Sequence, residues 1–237
     1  MKTGRLLAVL LLLGSAWAAP EPQQGVSLKG GVRIKGEIPR PRRIRMDIEK
    51  HCSAAVKGQE IDNDDIVADP KGNVKWAFVY VKAGLEGKKF DVPKTPVVIQ
   101  QQTCRYNPHV AGIMVGQDLT MRSGDPVIHI PHVNPKNSKE WGFSQAKLGE
   151  ERSKQFPAPE VMVRLICDVH PWMQAWIGVL EHPYYAVTSK DGSFEIKGLA
   201  PGKYTLEAWH EKLGSQIMDV TVGASGVPRL TSTMPVF

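Results

Sequence analysis

Seven residues, Cys167-Asp168-Val169-His170-Pro171-Trp172-Met173, set a thiol, an imidazole and a thioether at three-residue intervals. On a helix that spacing would stack the three side chains on one face. Pro171 forbids the helix, because it removes a backbone donor and clashes with the preceding turn. The flanks forbid it too. "EVMVRLIC" (Glu160 to Cys167) alternates, with Val161, Val163, Leu165 and Cys167 on one side, and "QAWIGVLEH" follows directly. The segment is therefore a short loop between two strands, and the fold must be one that places such a loop at the end of a sheet.

The same strand signals run through the chain: alternation, β-branched and aromatic residues, and Gly/Pro punctuation. They mark "GVSLKGGVRIKGEIP" as one or two strands, then "NVKWAFVYVKAG", "TPVVIQQQ", "GQDLTMR", "GSFEIKGLAPGKYTLEAWHEK" and "MDVTVG". Helical signal is confined to a short piece in "EKHCSAAVKGQEIDNDD" and a turn or two in "AKLGEERSKQ" (Ala146 to Gln155). The latter lies inside a long polar segment, Val133 to Pro159, anchored by Trp141, Phe143 and Phe156. The expected fold class is all-β, built as two sandwich-type units.

The N-terminus reads as an export signal spanning residues 1–18. Lys2 and Arg5 precede the apolar run Leu6 to Leu13, and Ala16 and Ala18 form a small-residue cleavage pattern. The run falls short of the roughly 20 residues that span a bilayer, and no cysteine follows it to carry a lipid. The expectation is a periplasmic or secreted protein without a membrane anchor. The formal charge of +6 becomes +4 once Lys2 and Arg5 are removed. Its densest part, "RPRRIR" (Arg40 to Arg45), lacks the aromatic-interleaved basic stripe of nucleic-acid readers, so no nucleic-acid partner is expected. Export also changes how three cysteines are read. In an oxidising compartment pairs close, so Cys52 and Cys104 are expected to form a disulfide and Cys167 to remain a thiol.

A free thiol beside an imidazole and a thioether suits copper. Trigonal His2Cys coordination with a long axial Met is the blue-copper electron-transfer arrangement. Zinc is a poor match for a thioether, and a Cys–His hydrolase would need a third orienting group that nothing in the sequence supplies. The missing ligand is His129 in "GDPVIHIPH", with His132 as its competitor. His51, His109 and the pair His210–Glu211 in "AWHEKLG" read as structural or exposed groups. With seven histidines and no His-x-His pair, a multicopper oxidase is excluded and no enzyme activity is expected.

"VGQDLTM", "DPVIH" and "C-x2-H-x2-M" before an apolar strand resemble a cupredoxin, and the ligand spacing is similar to that of amicyanin. More closely, "CRYNPHV", "DPVIHIPH", the stretch from Cys167 to Phe194 and "AWHEKLG" resemble the exported plastocyanin-like proteins of methylamine-utilisation type. The resemblance implies one copper per chain, held by His129, Cys167, His170 and Met173. It also implies one-electron exchange with a redox protein such as a cytochrome or quinoprotein. It further implies that His170 reaches the surface, where Pro171, Trp172 and Trp176 form an apolar docking patch, with core burial as the alternative for the tryptophans. Ile130 follows His129 where the family carries a polar tether, leaving only a backbone N–H, and Ser123 stands where the family has asparagine. "KDG" (Lys190 to Gly192), "APG" and the flanking strands resemble a carboxypeptidase regulatory-like domain, a small transthyretin-like sandwich. The implied architecture is a cupredoxin Greek-key sandwich, residues 96–182, inserted in or adjacent to that sandwich, residues 24–95 and 183–237. Two other roles remain open, a copper-binding or delivery protein and an extracellular binding module with a structural metal, and so does one other architecture, two domains in simple series.

Overall fold

A computed structural model describes residues 25–223 and the backbone of 230–235. The expected signal peptide, 1–18, lies outside the described residues, as do 224–229 and 236–237 of the C-terminal segment. The chain is all-β, and Lys50–Ala55 is the one helix among the described residues. No described helix is long and apolar enough to cross a membrane.

Alternation explains the first pair of sheets. In Val26–Lys35, Leu28, Val32 and Ile34 turn inward while Lys29, Arg33 and Lys35 face water. This one long strand lies between Ser193–Leu199, antiparallel, and Leu230–Pro235, parallel. Opposite it is a four-stranded sheet in the order Tyr185–Val187, Phe78–Ala83, Gly202–His210, Gly214–Val222. Leu28, Val32, Val79, Ile196, Leu206 and Val222 fill the space between.

A second pair of sheets carries the loop. One has the order Glu151–Lys154, Leu119–Ser123, Val97–Gln102, Arg105–Asn107. The other has the order Trp141–Gly142, Pro131–Val133, Glu160–Cys167, Gln174–Leu180, Val110–Met114. Ile99, Ile113, Leu119, Met121, Leu165 and Ile177 form the shared core, and Met46 and Cys52 join it from the helical segment. In Glu160–Cys167 the alternation holds for Val163, Leu165 and Cys167, but an irregular register after Glu160 leaves Val161 36% exposed.

The helix at Lys50–Ala55 matches the sequence, with the Glu49 carboxylate accepting from the His51 N–H at 3.1 Å. Ala146 to Gln155 does not. Glu151–Lys154 is an edge strand against Leu119–Ser123, fixed by Arg122 Nε to Glu151 Oε1 at 2.6 Å and by the Thr120 and Ser153 hydroxyls at 2.9 Å. All four of its residues are exposed, so no period of apolar residues marks it in the sequence.

The two pairs of sheets meet through aromatic rings laid on glycines. Phe78–Ala83 is buried on both faces: Val79 and Val81 enter the first core, while Phe78 and Tyr80 point to the other unit. Gly112 and Gly178 are register partners on neighbouring strands. Tyr185 covers the first and Phe78 the second, with the two rings stacked at 5.4 Å, and the Tyr185 hydroxyl donates to the Gly112 carbonyl at 2.8 Å. A Cβ on Gly178 would stand 2.3 Å from the Phe78 ring, which no side-chain adjustment of a buried phenyl relieves. Gly178→Ala is expected to lower unfolding stability by about 1–3 kcal/mol through overpacking, read from the denaturant midpoint at unchanged slope.

Candidate metal centre

Strand pairing brings together residues about forty positions apart. Pro131 is the register partner of Cys167, so His129, two residues earlier, arrives beside the thiol. Two backbone bonds with Gln145, at 2.9 and 2.8 Å, pin His129 in place. The loop closes on itself: Met173 N–H donates to the His170 carbonyl at 2.9 Å, and Cys167 N–H to the Met173 carbonyl at 3.3 Å.

The result is a buried set of donors. His129, Cys167 and His170 each offer an atom within 4.8 Å of the other two. His129 Nδ1 is 3.0 Å from His170 Nδ1, and Cys167 Sγ is 3.5 Å from His170 Nδ1. Bonds of about 2.3 Å to sulfur and 2.0 Å to nitrogen give sulfur–nitrogen edges of roughly 3.5–3.7 Å around one ion, so the set fits a metal with small adjustment of the imidazoles. Met173 is 2% exposed and packs in the same core.

Hydrogen bonds assign the protons. Asp125 Oδ2 lies 3.0 Å from His129 Nε2 and accepts its N–H, which leaves the Nδ1 lone pair facing Cys167 and His170. Asp125 is fixed in turn by the N–H groups of Thr103 and Cys104, at 2.8 and 2.9 Å. Burial alone would raise the Asp125 carboxyl, but the bonds from His129, Cys104 and Thr103 outweigh it and hold the group below its ordinary value. Cys167 follows the same logic. Burial pushes the thiol up, yet its contacts with the His129 and His170 rings and the N–H groups of Ile130 and Val169 bring it down to about 6. Ile130 N–H reaches Cys167 Sγ at 3.4 Å, so the backbone tether survives without a polar side chain at that position. Asp125 was not singled out in the sequence, although an acid four residues before a candidate ligand is a readable signal. Asp125→Asn turns an amide N–H toward His129 or a backbone donor. It is expected to weaken copper binding about ten- to a hundredfold, as measured by chelator competition.

The other histidines stand elsewhere. His132 is held by Asp168 Oδ1 at 3.0 Å and Glu140 Oε1 at 2.7 Å, outside the donor set. His51 Nε2 is 3.5 Å from Asp125 Oδ1. His109 pairs with Glu211, and His210 is buried beside them.

The expected disulfide is present: Cys52 and Cys104 are bonded, and Cys167 is the free cysteine. Its location corrects another expectation. His170 does not reach the surface. It is 3% exposed, with Cys52 Sγ 3.7 Å from its Nε2 and the Trp172 ring 5.2 Å away. Trp172 is itself buried, its indole N–H donating to the Cys104 carbonyl at 2.9 Å. Trp176 packs on Trp209 at 5.1 Å. The apolar docking patch is therefore absent: of its three residues Pro171 alone is exposed, Trp176 being half-buried and Trp172 buried.

A family model described as polysaccharide lyase family 4, domain II, matches residues 163–230. That match overlaps the stretch resembling a carboxypeptidase regulatory-like domain and carries a different description. No curated protein matches the chain. Among solved structures, it is similar to a Cu-containing nitrite reductase from Thermus scotoductus SA-01. The identity is 24%, covering 43% of this chain and 25% of that one, at a TM-score of 0.35. A purple cupredoxin from Nitrosopumilus maritimus is 20% identical over 35% of this chain and 98% of that one, at 0.31. The Cu(I) form of an amicyanin point mutant is 16% identical over 43% and 97%, at 0.32. The chain thus spans about a quarter of the nitrite reductase's length.

Proposed function

We propose that this is an exported copper protein that holds one ion through His129, Cys167, His170 and Met173 and passes single electrons to and from a redox protein such as a cytochrome or quinoprotein. One observation carries the reading: the free Cys167 thiol meets two imidazole nitrogens in a buried site. Copper bound there would supply the Cu(II)/Cu(I) couple, for which mixed thiolate, imidazole and thioether donors suit both states. The chain's own part is positional. Asp125 orients His129, Ile130 N–H steadies the thiolate, and the surrounding core excludes water.

The burial of His170 favours a second reading, a periplasmic copper-holding or delivery protein, because a covered histidine offers no edge to a redox partner. The first test is a visible spectrum after Cu(II) addition. A strong thiolate-to-copper band that reductant bleaches and oxidant restores over repeated cycles supports the carrier. Release of Cu(I) to an acceptor after the first reduction supports delivery, and absence of any band removes the blue-copper reading.

A further inference from the structure

His170 lies between two groups of soft donors. Its Nδ1 faces Cys167 Sγ and His129 Nδ1, and its Nε2 faces Cys52 Sγ at 3.7 Å. Cys52, Cys104 and His170 form a second buried set, with an atom from each within 4.8 Å of the others. The contrast with His129 is informative. A metal-ligating histidine ordinarily gives its other N–H to a carboxylate, carbonyl or water, as His129 does to Asp125. Among the described residues, His170 Nε2 meets only the disulfide sulfur.

We propose that a dithiol reductant converts the Cys52–Cys104 disulfide into a Cu(I) site made of Cys52 Sγ, Cys104 Sγ and His170 Nε2, a port through which copper reaches the inner set. The idea rests on the copper reading of that inner set for its purpose, not for its ligands. The chemistry balances. As the S–S bond breaks, the reductant's own disulfide forms, and each cysteine sulfur takes one electron and one proton. Cu(I) then replaces both thiol protons, which leave to solvent, with no change in its oxidation state. Thiolates select Cu(I), and the observed 3.7 Å matches the roughly 3.7 Å sulfur–nitrogen edge of a trigonal site. A neutral imidazole has one lone pair, so ligation at Nε2 places the proton on Nδ1. His170 therefore serves one set at a time. Access runs through Lys50–Ala55, a six-residue helix whose Ala54 and Ala55 face solvent. Helices this short hold poorly by themselves.

The test uses the full mature chain carrying Cys167→Ala, in which Cys52 and Cys104 are the only thiols. Cu(I) is titrated anaerobically against a chromophoric chelator, with the disulfide intact and after phosphine reduction. The reduced form is expected to bind one Cu(I) per chain, with that binding lost in the oxidised form, which offers no thiolate, and X-ray absorption should show two sulfur neighbours and one nitrogen. His170→Ala in the same background should remove the nitrogen and weaken binding. Equal binding by both forms, or a sulfur-only shell, overturns the proposal. So does reduction that abolishes near-ultraviolet circular dichroism that Cu(I) fails to restore. The visible spectrum of the disulfide-intact wild type with Cu(II) reports on the inner set independently. A band without reduced-state Cu(I) binding sinks only the port, and the converse sinks only the blue-copper reading.

Discussion

Cys167→Ser is expected to leave the chain folded and erase the thiolate-to-copper band completely. The loss should be total because the band belongs to the sulfur–copper bond, and a serine hydroxyl does not ionise where the thiol, at about 6, already has. Folding should survive, since a serine oxygen still accepts from Ile130 N–H at the sulfur's position; the stability change should be about 1 kcal/mol. Serine is also a harder donor than thiolate, so Cu(I) affinity should fall further than Cu(II) affinity and copper should escape on reduction. His132→Ala is the matched control. Its ring is engaged by Asp168 and Glu140, and its removal should leave the band in place. Visible absorption with far-ultraviolet circular dichroism on both variants decides the matter. A band persisting in the serine variant would remove Cys167 from the site.

The meeting of Cys167 with His170 was legible because it is local. Cys167, His170 and Met173 share one loop, Pro171 excludes the helix, and the alternation of Val163, Leu165 and Cys167 aims the thiol into the core. The Cys52–Cys104 pairing followed from parity and compartment. What covers His170 was not legible, because Cys52 contacts it across 118 positions and no local pattern encodes such a contact. Trp172 reads as a docking residue with core as the alternative, and its bond to the Cys104 carbonyl places it in the core. The strand Glu151–Lys154 was hidden for the opposite reason: both its faces are wet, so its side chains carry no period. His109 and Glu211 each read as a structural or exposed group, and their partnership, 102 positions apart, depends on how the two units meet.

That partnership carries the largest expected loss of stability. Glu211 bonds His109 through one oxygen and accepts from Gln174 Nε2 through the other at 2.9 Å, with the His109 and Glu211 side chains buried at the junction of the units. Burial alone would raise the Glu211 carboxyl, but the His109 bond and charge outweigh it and hold the group below its ordinary value. Glu211→Ala strands a buried imidazole and an amide N–H together, and breaking a buried pair from one side costs about 3–5 kcal/mol. Glu211→Gln keeps the Gln174 contact and should lose less. The acid limb of the stability curve has two contributors of the same sign. His210 is buried and brought down to about 4 by that burial, aided by His109. Its unfolded value is about 6.5, so the unfolded chain binds its proton first, and this stability drains as pH falls from about 6.5 to about 4. Glu211, depressed below an unfolded value of about 4.3, contributes fully above that value and is lost as pH falls through its folded one. Glu211's own charge partly opposes the His210 shift, so urea unfolding of both wild type and Glu211→Gln should show losses as pH falls from about 6.5, with the Glu211 contribution below about 4.3 present in the wild type alone. The proposed copper donors lie on the other side of Gln174, one residue past Met173, so the visible band of Glu211→Ala should keep its intensity while its unfolding midpoint drops. A variant that lost the band at a pH where it remained folded would instead place Glu211 in the support of Met173.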